Sequence, residues 1–114
     1  MTATASHIPS AVVLALDSLI TPTAHGIASR VLAKSGGGTV TLFAFDAGES
    51  LSEHTAPFDA LVMVLEGGFV LTIGGAAVEA GPGTVVRMPA DVPHAVAAVG
   101  ASRMLLIMLR ERTA

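Results

Sequence analysis

Hydrophobic positions along this chain come in short blocks separated by turn formers. Gly36-Gly37-Gly38, Asp46-Ala47-Gly48, Gly67-Gly68, Gly74-Gly75, Gly81-Pro82-Gly83, Pro89-Ala90-Asp91 and Gly100 punctuate segments rich in Val, Thr, Phe, Leu and Ile. Blocks of about 5 to 9 residues with this punctuation are the pattern of a sandwich or barrel of short antiparallel strands. The spacing predicts strands over 27–33, 39–45, 50–54, 60–65, 68–73, 76–79, 84–88, 93–98 and 102–109. The fold class expected is therefore all-β. Gly74-Gly75 separates Phe69–Ile73 from Ala76–Glu79, and because glycine reaches positive φ without steric cost, this pair predicts a tight two-residue hairpin.

The first two dozen residues follow a different pattern. They contain Pro9 and Pro22, show no alternation, and hold one short helical candidate from Ser10 to Leu19. The division expected is an N-terminal extension, 1–26, followed by one β-barrel domain, 27–114. The extension is too apolar for a free tail, so it is expected to pack on the outside of the barrel or across a dimer interface, with Met1 to Ser6 frayed.

Length and composition narrow the picture. A chain of 114 residues suits one core rather than two. Its longest apolar runs, such as Ala11–Leu16 and Met104–Leu109, fall far short of the roughly 20 residues that span a bilayer. No Lys or Arg precedes Arg30, so a secretory signal is not expected, and a cytoplasmic location without membrane contact is. The absence of cysteine removes disulfides, thiolate zinc sites and cysteine nucleophiles. With six Lys and Arg, scattered, and a net charge of −3, there is no basic stripe for phosphates, and nucleic acid is excluded as a partner. Only 13% of residues are charged, which suggests that a second copy covers some apolar surface. A homodimer is expected.

Two segments carry candidate chemistry. The first has Gly48, five residues, His54, Thr55, Ala56, Pro57, Phe58, Asp59, Ala60, then Leu61 to Glu66 and Gly67. The second has Gly83, five residues, Pro89-Ala90-Asp91-Val92-Pro93-His94, and Ala98. Strands send alternate side chains to one side, so His54 and Ala56 share a face, as do Ala60, Val62 and Val64, and likewise His94, Val96 and Ala98. The glycines and prolines are accounted for by turn geometry alone, so they speak for fold rather than activity.

The two segments, covering 48–98, resemble the paired motifs of the cupin superfamily, the RmlC-like jelly rolls. The resemblance implies a single-domain double-stranded β-helix in which those three faces converge. In that family, two His and a Glu of the first motif and a His of the second hold a divalent metal, usually iron, manganese, nickel or zinc. Carried over position by position, His54 and His94 are the metal ligands, while Ala56 and Ala60 stand where the other His and the Glu would be. Two of the four usual ligands are therefore absent. A catalytic zinc ordinarily has three protein ligands and non-haem iron a two-His, one-carboxylate face, so a divalent transition metal is expected to be weak or absent.

Asp59 and His25 are the substitutes considered. Asp59 is one position before the Glu place and needs a bulge to turn inward; Glu53 has the same handicap beside His54, and His7 reads as a solvated terminal residue. The simpler alternative is that His54 and His94 merely hydrogen-bond within the barrel. Alanine at 56 and 60 predicts an enlarged apolar pocket lined by Ala56, Ala60, Val62, Val64, Val96 and Ala98, suited to a small, largely apolar or acidic organic molecule. Met63 and Met88 are candidates to line or buttress it, and Arg87 and Arg103 to anchor a carboxylate if they face the mouth. Three functions compete: a small-molecule binding module with His54 and His94 as its polar groups, a metal-dependent oxygenase, isomerase or lyase using both as ligands, and a structural dimer whose barrel is filled by side chains.

Overall fold

A computed structural model describes residues 7–110, so the expected fraying of Met1 to Ser6 lies outside the described residues. They form nine strands: β1 Ile27–Ser35, β2 Gly38–Phe45, β3 Ser50–His54, β4 Asp59–Glu66, β5 Phe69–Ile73, β6 Ala76–Ala80, β7 Val85–Met88, β8 His94–Ala98 and β9 Ser102–Leu109. Each matches an expected strand to within two residues. They build two antiparallel sheets, β1-β2-β9-β4-β7 and β3-β8-β5-β6, packed face to face as an all-β jelly roll. Among the described residues no helix is long and apolar enough to cross a membrane.

The core is the set of inward residues that alternation selects. Phe45, Ala60, Val62, Val64, Met88 and Met104 from the larger sheet pack against Phe69, Leu71, Ala80, Val96 and Ala98 from the smaller. Phe45 and Phe69 meet edge to face at 5.0 Å between ring centroids, the arrangement favoured by the ring quadrupoles. The opposite face of β9, β4 and β7 is also apolar. Leu61, Met63, Val85, Leu105, Ile107 and Leu109 project there by register, and Met63, Val85 and Leu109 are exposed.

The N-terminal helix expected from Ser10 to Leu19 does not form. Only a 3₁₀ turn at Leu16–Ser18 is present. Ala11 takes φ +57, a left-handed conformation that interrupts a helix at its outset, and the β-branched Val12 and Val13 follow it. The segment instead runs along the sheet. Ile8 N–H donates to the Leu32 carbonyl at 2.9 Å, Arg30 Nη1 to the Leu19 carbonyl at 3.0 Å, and Arg103 Nη1 to the Asp17 carbonyl at 3.2 Å. Arg103 also faces Glu66 Oε1 at 3.5 Å.

Two short crossings join the sheets at one end, 55–58 between β3 and β4 and 89–93 between β7 and β8. They are tied to each other. Asp91, in a left-handed conformation at φ +63, donates its N–H to the Ala56 carbonyl at 2.8 Å. Asp59 turns away from the barrel interior and accepts from Arg87 Nη1 at 2.7 Å and from the Ala90 N–H at 2.9 Å. These two donors, the Ala90 amide first, hold its carboxyl below the ordinary 3.8.

Two outcomes follow. The ionised form of Asp59 is favoured in the folded state, so its contribution is complete above the unfolded value near 3.8 and disappears as pH falls through the lowered folded value. The stability difference between the wild type and Asp59→Asn, measured by urea unfolding, should therefore be constant at neutral pH and shrink below pH about 4; a difference that grows on acidification would contradict the assignment. At Gly67, φ is +76 and an added Cβ would lie 2.6 Å from the Ala101 carbonyl. Gly67→Ala should cost more than about 2 kcal/mol, whereas Gly36→Ala, with nothing within 4 Å, should shift the urea midpoint little.

Candidate functional site

The site is created by an irregularity in β3. Ser50 pairs with Ala97 and Leu51 with Val96, but the next pair is His54 with His94, a register shift that sets two residues, Ser52 and Glu53, against Ala95 alone. Strict alternation would have placed Glu53 opposite His94. The bulge places His54 there instead, and directly opposed residues project from the same face. His94 is the first residue of β8 and is 5% exposed, while His54 is exposed at the strand end.

Both rings are oriented by the backbone. His54 Nδ1 lies 2.8 Å from the Ser52 carbonyl and His94 Nδ1 lies 3.1 Å from the Val92 carbonyl. A carbonyl can only accept, so each Nδ1 carries the hydrogen and each Nε2 presents a lone pair. Those two Nε2 atoms are 3.2 Å apart, with the rings at 71° and their centroids 4.4 Å apart. Two lone pairs at that distance repel unless something positive lies between them: a shared proton or a metal ion.

The spacing suits a metal. With metal–nitrogen bonds of about 2.1 Å, a 3.2 Å separation corresponds to a nitrogen–metal–nitrogen angle of roughly 100°, between the octahedral and tetrahedral values. The two imidazoles thus fit adjacent positions of one first-row ion. Among the described residues, no group of three or more His, Asp or Glu side chains comes together around an ion.

The other expected site residues are distributed as follows. Asp59 is engaged by Arg87 and Ala90 on the outer side, because alternation holds along β4 from Asp59 to Val64 and no bulge re-aims it there. His25 belongs to the far end of the barrel. It precedes β1 in a left-handed conformation, φ +57, with its backbone N–H on Asp46 Oδ2 at 2.7 Å, whereas the His54–His94 end lies at the other end of β2, about 20 Å away at 3.4 Å per residue. Arg87 and Met63 face outward, and Arg103 is committed to the N-terminal segment and Glu66. None of these five lines the interior.

Of the expected pocket, Ala60, Val62, Val64, Val96 and Ala98 are all inward and 0 to 5% exposed. They are packed core rather than the walls of an enlarged cavity, because large side chains from both sheets interlock there. Ala56 is half-buried in the crossing loop, held by its carbonyl. The inward positions that are less tightly closed lie beyond this set. Thr41, Phe43, Leu51, Ile73, Leu106 and Met108 occupy inward positions by register yet are only half-buried. Sequence reasoning missed them, since nothing in their alternation tells a packed inward position from one at an opening.

The comparisons agree with this architecture. A family model described as Cupin domain matches residues 41–110. A conserved protein of unknown function from Streptococcus pyogenes is 32% identical, with 94% of each chain covered and a TM-score of 0.87. A cupin superfamily protein from Desulfitobacterium hafniense is 34% identical, covering 92% of this chain and 96% of its own, with a TM-score of 0.85. KdgF from a Halomonas species, 22% identical over 75% of this chain and 81% of its own, has a TM-score of 0.70 and shares the fold. No curated protein matches. With a family model spanning more than half of its length, and with paired motifs that place His54 and His94 face to face at one end of a two-sheet jelly roll, the chain belongs to the cupin superfamily.

Proposed function

We propose that this cupin is a small-molecule binding module whose polar centre is the His54–His94 pair. The pair holds one transition metal ion between its Nε2 atoms, and a small organic ligand, largely apolar with one oxygen donor or acid group, sits in the adjoining mouth. The observation that carries this reading is the 3.2 Å separation of two Nε2 atoms whose partner nitrogens are both taken by backbone carbonyls. A pair built only for packing has no reason to aim two lone pairs at one point. When bound, the ion supplies a Lewis-acidic anchor for the ligand's oxygen.

The chain's own residues do the rest. Phe43, Leu51, Ile73 and Leu106 offer apolar contact around the opening and keep water from the buried ring of His94. A binding role is favoured over turnover by the position of Asp59: the carboxylate nearest in sequence to the fourth ligand place is spent on Arg87 and Ala90 and so is not free to serve the pair as a general base.

The test is metal content after expression with zinc, manganese, iron or copper supplements. Wild-type protein is expected to retain up to one ion per chain. His54→Ala, at an exposed position, should retain the fold and lose at least tenfold in metal affinity, because one imidazole no longer chelates; His94→Ala should do the same. Wild-type protein that takes up none of the four metals, or variants that bind as it does, would overturn the proposal.

We also assign the apolar outer face of β9, β4 and β7 to a second copy of the chain, on the grounds that Met63, Val85 and Leu109 lie exposed together on it. Light scattering should give the mass of a dimer for the wild type and of a monomer for Met63→Glu with Val85→Lys.

A further inference from the structure

The reading above leaves the metal's identity open, and the row of side chains facing the imidazoles narrows it. Cross-strand pairing sets Met88, Ala60, Met108 and Thr39 side by side, with Ala60 opposite both methionines and Met108 opposite Thr39. All four project to the interior face, since directly opposed residues share a face and Ala60 and Met88 belong to the core. On the other sheet, Ile73, His94 and His54 form the matching row. The crossings 55–58 and 89–93 join the ends of these two rows, so both sit at the same end of the barrel.

Ala60 is therefore a small residue flanked by two thioethers, at the end where two imidazoles converge. The chain has no cysteine, and Asp59 is turned outward. Hard ions such as manganese or magnesium call for carboxylate oxygens, whereas thioether and imidazole together select copper(I). Methionine has three rotatable bonds and adapts to irregular surroundings, and alanine at 60 puts little bulk between the two thioethers. A second observation points to an occupant in this layer. Thr39, 8% exposed, has a buried Oγ1 with no hydrogen-bond partner, and an orphan buried hydroxyl is unusual in a layer meant only as apolar filling.

We infer that the metal site of this protein selects copper(I), held by His54 and His94 together with thioether sulfur from Met88 and Met108. The inference rests on the His54–His94 pair being a metal site at all. It involves binding only, so no electron changes hands.

The experiment is an anaerobic competition titration of copper(I), kept reduced with ascorbate, against a chromophoric copper(I) chelator, with a parallel zinc(II) titration. The proteins are wild type, Met88→Leu, Met108→Leu, the double variant and His54→Ala. Leucine replaces methionine at similar volume, so the fold should persist, and thermal unfolding checks that it does. The expected result is a loss of at least tenfold in copper(I) affinity in the double variant, with zinc(II) affinity within twofold of wild type, and sulfur scatterers in the copper X-ray absorption spectrum of the wild type that are absent from that of the double variant. A double variant that binds copper(I) as the wild type does, or that loses copper and zinc equally, overturns the thioether assignment. Metal binding unchanged in His54→Ala would instead overturn the site itself, so the two failures are distinguishable.

Discussion

The chemistry of this molecule depends on one extra residue in β3. The bulge between Leu51 and His54 breaks the period of two, brings an imidazole rather than a carboxylate opposite His94, and frees the Ser52 carbonyl to hold His54 Nδ1. With both Nδ1 atoms against carbonyls, the two Nε2 atoms are left facing each other at 3.2 Å. Were the same residues paired without the bulge, Glu53 would face His94, which is a different site altogether. A bulge is costly to a ladder, and its usual return is the re-aiming of a side chain.

Around that feature the fold separates its tasks between the two ends and faces of the larger sheet. The inner face supplies a dense core from Phe45 to Met104, with residues at 0 to 5% exposure. The outer face receives the N-terminal segment through Arg30 and Arg103 and leaves the apolar surface over β9, β4 and β7 uncovered. The tie between Asp91 and Ala56 holds the two crossings together, and it is these crossings that set the histidine row against the methionine row. Stability and site are thus coupled through backbone hydrogen bonds more than through side-chain pairs.

The strands were legible because turn formers and short apolar blocks act locally, and every expected strand has its counterpart. Motif spacing likewise identified His54 and His94 as partners. The helical candidate from Ser10 to Leu19 was misleading for a physical reason: apolar residues without a consistent period say that a segment packs, not how, and here arginines from the sheet take its carbonyls. The enlarged pocket was misleading as well. Small residues at 56 and 60 leave a cavity only where neighbours do not fill it, and the core from Val62 to Val96 is closed.

By itself, the sequence determined the class of fold, the number and order of the strands, and the face on which most strand residues lie, because alternation and turn chemistry depend on a residue and its immediate neighbours. Only the tertiary structure decided that His54 rather than Glu53 faces His94, that Asp59 turns to Arg87, that His25 lies at the far end, and that two methionines flank Ala60. Each of those depends on cross-strand register, and register is a property of two segments distant in sequence, so no local pattern contains it.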